Sequence, residues 1–273
     1  MNEQNKKEAY VIAVCGKGGV GKTAFIALVA KAIIELAPDA RLLLIDADPA
    51  LGLTYALGLK EERTVGSIRV ELIERAAKGE PDEIDRVVQT LGTDILSAVQ
   101  ERDRYSLLAM GRSEAIGCFC KVNSLLRKAI AQLRNEFDWI LIDAEAGLEQ
   151  INRQVLDRID DLIVLSDGSL RSDETATKVM EMLDQEIIHC TRAGVAYNRS
   201  SASKEHRGKR HLWEPIGIVP EDLLIADFDR RGESLLDMPR NAPSVEAVRR
   251  IVLARVFQLN SQKNGATLRT QKA

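Results

Sequence analysis

The stretch "VIAVCGKGGVGKTAFIALVA", Val11 to Ala30, decides the fold. Its first five residues are an almost unbroken apolar run, Gly16 opens a glycine-rich loop, and from Lys22 onward apolar residues return at helical spacing. That order reads as buried strand, loop, helix. Within it Gly16, Gly21, Lys22 and Thr23 satisfy G-x-x-x-x-G-K-[ST] in the strand-to-helix context that gives the motif its meaning. Glycines let successive backbone N–H groups turn inward at a helix N-terminus, where the dipole also favours an anion. The expectation is a phosphate cradle over Gly18, Gly19, Val20, Gly21, Lys22, Thr23 and Ala24 that takes ATP or ADP. The Lys22 ammonium would reach the β- and γ-phosphates, and the Thr23 hydroxyl would ligate Mg²⁺.

Working outward, the runs "RLLLIDAD" (41–48), "YSLLAMG" (105–111), "DWILIDA" (138–144), "DLIVLSDG" (161–168), "RAGVAYN" (192–198) and "EPIGIVP" (214–220) read as further strands. Near-continuous apolar runs suit strands covered on both faces. Between them lie the amphipathic stretches "VNSLLRKAIAQLRNEF" (122–137) and "SDETATKVMEMLDQEI" (172–187), the second with Ser172 as its expected start. Residues 60–92 read as helices with a polar break at "KGEPD", and "PSVEAVRRIVLARVFQL" (243–259) as a terminal helix. Strand and helix in alternation imply an α/β three-layer sandwich of the P-loop NTPase type. Its central sheet should be mostly parallel, of about seven or eight strands. The expected organisation is a disordered N-terminus over 1–9, a single ATPase domain over 10–260 and a polar flexible tail over 261–273.

Of the 273 residues 45% are hydrophobic, 29% charged and 4% aromatic, with a net charge of −3. Both signs are interspersed, so no strong field would draw the chain onto nucleic acid or an anionic membrane, and neither is expected as a partner. No stretch approaches the ~18 apolar residues of a membrane span, and no signal peptide is legible. The expected location is the cytoplasm. The polar stretch 198–214 reads as an exposed loop, and its His206 and His211 as solvated residues rather than metal ligands.

Two acidic strand ends accompany the loop. "LLLIDADP" delivers Asp46 and Asp48, and "WILIDAEAG" delivers Asp143, at the carboxyl edge where ligands gather in open α/β sheets. Asp143 ends a Walker B-like strand and is expected to hold Mg²⁺ together with Thr23 and Asp46. Phosphoryl transfer needs neutralised charge and a placed water more than covalent chemistry, and such residues supply both.

The full loop G-K-G-G-V-G-K-T carries a second lysine, Lys17. In this it resembles the deviant phosphate loop of the ATPase class that includes the nitrogenase iron protein and the chromosome-partition and septum-positioning ATPases. The resemblance implies that Lys17 reaches across a homodimer interface to the partner's nucleotide, and that Asp48 orients the attacking water. It implies also that "VAYNR" and "GIVPED" hold the base, through Asn198, Arg199 and Pro220. One departure is Ala24, where the class usually has a hydroxyl residue.

The chain has four cysteines, and two stand together in "GCFC" as Cys118 and Cys120. Cys15, in the first strand, and Cys190, read as lying in a linker after a helix, suit packing. In extended or turn backbone residues two apart share a side, so Cys118 and Cys120 could pinch one soft or borderline cation. One chain offers two sulfurs, half of a tetrahedral or square-planar set, and a two-fold dimer supplies four. Ni²⁺ or Zn²⁺ fit such a set; a strained disulfide and plain packing are the alternatives.

Three segments sharpen the resemblance: "MGR" followed by "GCFC", "IDAEAGLEQINR" (142–153), and "VPEDLLIADFDRRGESLLDMP" (219–239). Over about residues 10 to 260 the chain resembles the ATPases that mature nickel-containing carbon monoxide dehydrogenase. In that family the C-x-C cysteines bind nickel between two subunits, which here concerns Cys118 and Cys120. The resemblance implies a nickel metallochaperone with an apo nickel enzyme as client. Competing readings are a positioning or partition ATPase without metal, a paralogue serving the acetyl-CoA synthase nickel site, and an electron-transfer reductase. The absence of cysteine from "DAEAGLEQINR" argues against the reductase.

Overall fold

The apolar runs become the strands of one sheet in a computed structural model that describes residues 8–60, 62–78, 95–112, 132–144, 159–185, 190–200 and 215–257. In chain order these are β1 (Tyr10–Gly16), β2 (Leu42–Asp46), β3 (Val99–Glu101), β4 (Ser106–Ala109), β5 (Trp139–Asp143), β6 (Ile159–Ser166), β7 (Cys190–Asn198) and β8 (Pro215–Val219). They lie side by side as β3-β4-β2-β5-β1-β6-β7-β8. Every pairing is parallel except β3 with β4. The helices are α1 (Lys22–Leu36), α2 (Gly52–Ala56), α3 (Val65–Lys78), α4 (Leu170–Asp184), α5 (Leu223–Arg231) and α6 (Pro243–Val252). A 3₁₀ turn, Leu235–Asp237, precedes α6, and a π-helical turn, Leu253–Phe257, follows it.

Alternation along each strand splits the interior into two cores. Ile12, Val14, Leu44 and Leu141 pack with α1 and α6 on one face, while Val11, Ala13, Leu43, Ile45, Ile140 and Ile142 pack with Ile68 of α3 and Ala176 and Met180 of α4 on the other. This is a three-layer α/β sandwich. Each fully buried Leu or Ile contributes roughly 1.5–3 kcal/mol, and α1, buried along most of its length, is the chief packing partner of the phosphate-binding end.

The last turn is fastened by charge. Asp161 of β6 is fully buried and accepts from Arg255 Nε at 3.0 and 3.1 Å and from Arg192 Nη2 at 3.1 Å. Burial pushes its carboxyl up and the two guanidiniums oppose that shift. Removing either partner would leave a buried charge underpaired.

Four details differ from expectation. The edge strand β3 is only three residues long and antiparallel, too short and too polar to show a period in the sequence. Helix α4 begins two residues before Ser172, at Leu170: Ser169 is its N-cap and accepts from the Ser172 N–H, while Ser172 is fully buried. Cys190 is not in a linker but opens β7, and its thiol donates to the Arg192 carbonyl. The terminal helix changes to π geometry at Leu253. Cys118, Cys120, His206, His211, residues 145–158 and the tail from 258 lie outside the described residues. Among the described residues no helix is long and apolar enough to cross a membrane.

Candidate nucleotide site

Gly16 ends β1 at φ +144°, and a Cβ there would lie 2.4 Å from the Leu165 carbonyl oxygen of β6. Only glycine lets the chain leave the sheet so close to its neighbour. The loop turns on Val20 N donating to the Lys17 carbonyl at 3.3 Å. It enters α1 through Gly21, a left-handed N-cap at φ +89° with no side-chain capping bond. With no acidic residue in its first turn either, the N-terminus of this 15-residue helix is left to an external anion.

The last residue of β7 and the one after it brace the loop from outside. Asn198 Nδ2 donates to the Val20 carbonyl at 2.8 Å, and Arg199, itself left-handed at φ +53°, donates from Nη1 to the Gly19 carbonyl at 3.2 Å. Both were expected at the base. The structure turns the Asn198 amide nitrogen and the Arg199 guanidinium onto the phosphate loop. Pro220 follows β8, whose Val219 pairs in register with Asn198, so it stands near that end of β7.

Lys22 is buried, with Nζ 3.4 Å from the Lys17 carbonyl. The Lys17 ammonium lies 4.0 Å from the Asp167 carboxylate after β6. Desolvation works to raise Asp167, but bonds from Ser169 and the charge of Lys17 outweigh it and hold the carboxyl below its ordinary value.

The acidic strand ends meet at Thr23. In register, Asp46 of β2 pairs with Asp143 of β5, which pairs on its other side with Val14 of β1. Thr23 Oγ1 donates to Asp143 Oδ2 at 2.7 Å. Asp143 Oδ1 is buried and has no hydrogen-bond partner among the described residues. Burial above all pushes the Asp143 carboxyl up to about 6, with the charges of Asp46 and Asp48 adding to the rise and Thr23 and Lys22 opposing it. Asp48 Oδ2 comes close as well: a Cβ built on Gly52 would lie 3.6 Å from it and 3.3 Å from Thr23 Oγ1.

An unpartnered buried carboxylate oxygen, a hydroxyl and neighbouring negative charge form a donor set that suits a hard divalent cation. Mg²⁺ takes one or two protein oxygens and completes its octahedron with water and phosphate. Among the described residues no group of three or more His, Cys, Asp and Glu side chains forms a cage able to hold a metal by itself. Asp46, expected among the Mg²⁺ ligands, is otherwise engaged. Its Oδ2 accepts from both N–H and Oγ1 of Thr54 at 2.8 Å, and its Oδ1 from Asp48 N at 3.3 Å. Thr54 carries no linear signal: it lies eight residues on, and only the fold brings it back.

The profile of the AAA domain family matches residues 9–192. An uncharacterized ATP-binding protein of Methanocaldococcus jannaschii is 35% identical over 85% of this chain and 92% of its own length. The carbon monoxide dehydrogenase accessory protein CooC of Rhodospirillum rubrum is 28% identical over 90% of this chain and 97% of its own. Among solved structures, the MinC:MinD cell division protein complex of Aquifex aeolicus matches at 25% identity and TM-score 0.66, covering 97% of this chain and 99% of that one.

Proposed function

The chain belongs to the AAA domain family and is a P-loop ATPase, and from that premise we propose that it is an ATP-driven nickel metallochaperone for a nickel enzyme, carbon monoxide dehydrogenase. The observation that carries this reading is the likeness to a carbon monoxide dehydrogenase accessory protein over 90% of the chain. Cys118 and Cys120 stand in the same chain as a pair of thiols. Two copies meet face to face with ATP between them, and four thiolates hold Ni²⁺ as cargo.

Within each copy the backbone amides of Gly18 to Ala24 bind the phosphates, and Lys22 neutralises their charge. Thr23 and Asp143 hold Mg²⁺, with Asp46 backing them from the sheet interior. Bound there, the ion would supply charge neutralisation for phosphoryl transfer. Asp48 orients the attacking water. Lys17 serves as the signature lysine of a deviant phosphate loop and reaches the partner's nucleotide. Asn198, Arg199 and Pro220 border the base, the first two while bracing the loop. Hydrolysis loosens the interface because ATP makes contacts in the closed form that the open form lacks.

The test is equilibrium dialysis of Ni²⁺ with and without ATP, on the wild type and on Cys118→Ala/Cys120→Ala. Nickel should be retained by the wild type with ATP and lost from the double variant. Equal tight binding by both, or none by the wild type, overturns the reading. A second reading, a septum-positioning switch without metal, draws on the likeness to septum site-determining proteins. ATP-dependent pelleting with anionic vesicles would favour it. A client at the acetyl-CoA synthase nickel site would give the same dialysis result and be separated by which apo-enzyme is activated.

A further inference from the structure

Asp46 is the last residue of β2 and is fully buried. All three donors to its carboxylate come from one segment: Asp48 N at 3.3 Å, Thr54 N at 2.8 Å and Thr54 Oγ1 at 2.8 Å. That segment is tightly wound. Asp48 Oδ1 accepts from Ala50 N at 2.8 Å, and the Asp48 carbonyl accepts from Leu51 N at 2.9 Å. Leu51 then takes a left-handed conformation at φ +58° as the N-cap of α2, with no side chain able to cap. A β-carbon makes that conformation costly, by about 1–2 kcal/mol for such a residue.

Thr54 is the third residue of α2, the position whose N–H an N-cap side chain normally satisfies. Leucine cannot do so. The cap is supplied from the sheet, by Asp46, across eight residues of sequence. The same segment sets where Asp48 lies, with Oδ2 3.6 Å from the point a Gly52 Cβ would occupy, which is itself 3.3 Å from Thr23 Oγ1.

We propose that Asp46 is a positioning residue for ATP hydrolysis: acting through Thr54 and the Asp48 amide, it clamps residues 48–54 so that Asp48 Oδ2 is held beside Gly52, the residue that also borders Thr23 Oγ1. This rests on the reading of Asp48 as the residue that orients the attacking water. It moves Asp46 out of the Mg²⁺ ligand set and makes Thr54, which no sequence motif marks, part of the hydrolytic apparatus. Placement of a reacting group is where small errors are costly, since a misplacement of about 1 Å can lower turnover by about 100-fold.

The experiment compares Asp46→Asn, Thr54→Val, Thr54→Ser and Asp48→Ala with the wild type. Steady-state ATP hydrolysis, affinity for a fluorescent ATP analogue, Mg²⁺ dependence, and amide exchange over residues 48–54 in the nucleotide-free protein are measured. Asp46→Asn and Thr54→Val should lower kcat by ~10- to 100-fold, and residues 48–54 should exchange faster. Analogue affinity and half-saturating Mg²⁺ should stay within about twofold of wild type, as expected when only transition-state placement is lost. Thr54→Ser, which keeps the hydroxyl, should restore turnover; it and Thr54→Val carry the test should Asp46→Asn fail to fold. Wild-type kcat and exchange in Thr54→Val beside an inactive Asp48→Ala would overturn the positioning role alone. A rise of about tenfold in half-saturating Mg²⁺ for Asp46→Asn, with turnover recovered at high Mg²⁺, would overturn it too and make Asp46 a ligand. Wild-type hydrolysis by Asp48→Ala would instead remove the water-orienting reading on which the proposal rests.

Discussion

Asp143 shows how a single side chain can favour the site at the expense of the fold. Its carboxyl titrates near 3.8 in an unfolded chain and about 6 here, chiefly because it is buried. The folded chain therefore holds a proton that the unfolded chain has already released. As pH rises from about 3.8 through about 6 stability falls, and above that window the whole penalty is present. Its upper size is about 3 kcal/mol. At pH 7.5 Asp143→Asn should raise the melting temperature of the nucleotide-free protein and abolish ATP hydrolysis, and the gain should shrink at pH 4.5. Thermal scans at the two pH values check this, and a lower melting temperature at pH 7.5 would contradict it. Asp143 was legible from its position at the end of an apolar run. That Oδ1 would lack a partner among the described residues was not, because it depends on what the neighbouring strands and α1 bring around it.

At the scale of the element, the junction of β1, loop and α1 is held by close approach rather than by local propensity. Gly16→Ala would place a methyl group 2.4 Å from the Leu165 carbonyl at a φ of +144°. Neither strand can retreat, since both lie mid-sheet with neighbours on each side. We expect a loss of about 2–4 kcal/mol, read as a lower urea midpoint with an unchanged slope; a shift of a few tenths would show that the loop is slack. Element starts were less legible than elements. Ser169 and Ser172 are both good caps on paper, and α4 uses Ser169 because Ser172 is drawn inside, where its hydroxyl accepts from Asp167 N. Strand β3 escaped notice because a three-residue edge strand has no room for a period.

At the scale of the molecule, the carboxyl edge of the sheet gathers residues from β1, β2, β5, β6 and β7 around one loop. Lys17 rests there against Asp167, with about a third of each side chain exposed. An exposed pair of this kind is worth about 0–1 kcal/mol, so a second copy with bound nucleotide can outcompete it. Sedimentation should find the wild type dimeric with ATP and monomeric without, and Lys17→Ala monomeric in both while still binding nucleotide. A Lys17→Ala protein that dimerises like wild type would remove the signature-lysine assignment.

The linear pattern determined the phosphate loop, the acidic strand ends and the layered α/β class. Each of these is written in local spacing: glycines where backbone must turn, apolar runs where strands are covered on both faces, a carboxylate where such a run stops. Tertiary structure alone decided that Asp46 serves Thr54, that Asn198 and Arg199 brace the loop, and that Asp143 keeps a bare oxygen. Those are contacts between residues 8 to 180 positions apart, and their energy depends on which partners the sheet order brings within hydrogen-bond reach, information that no local spacing carries.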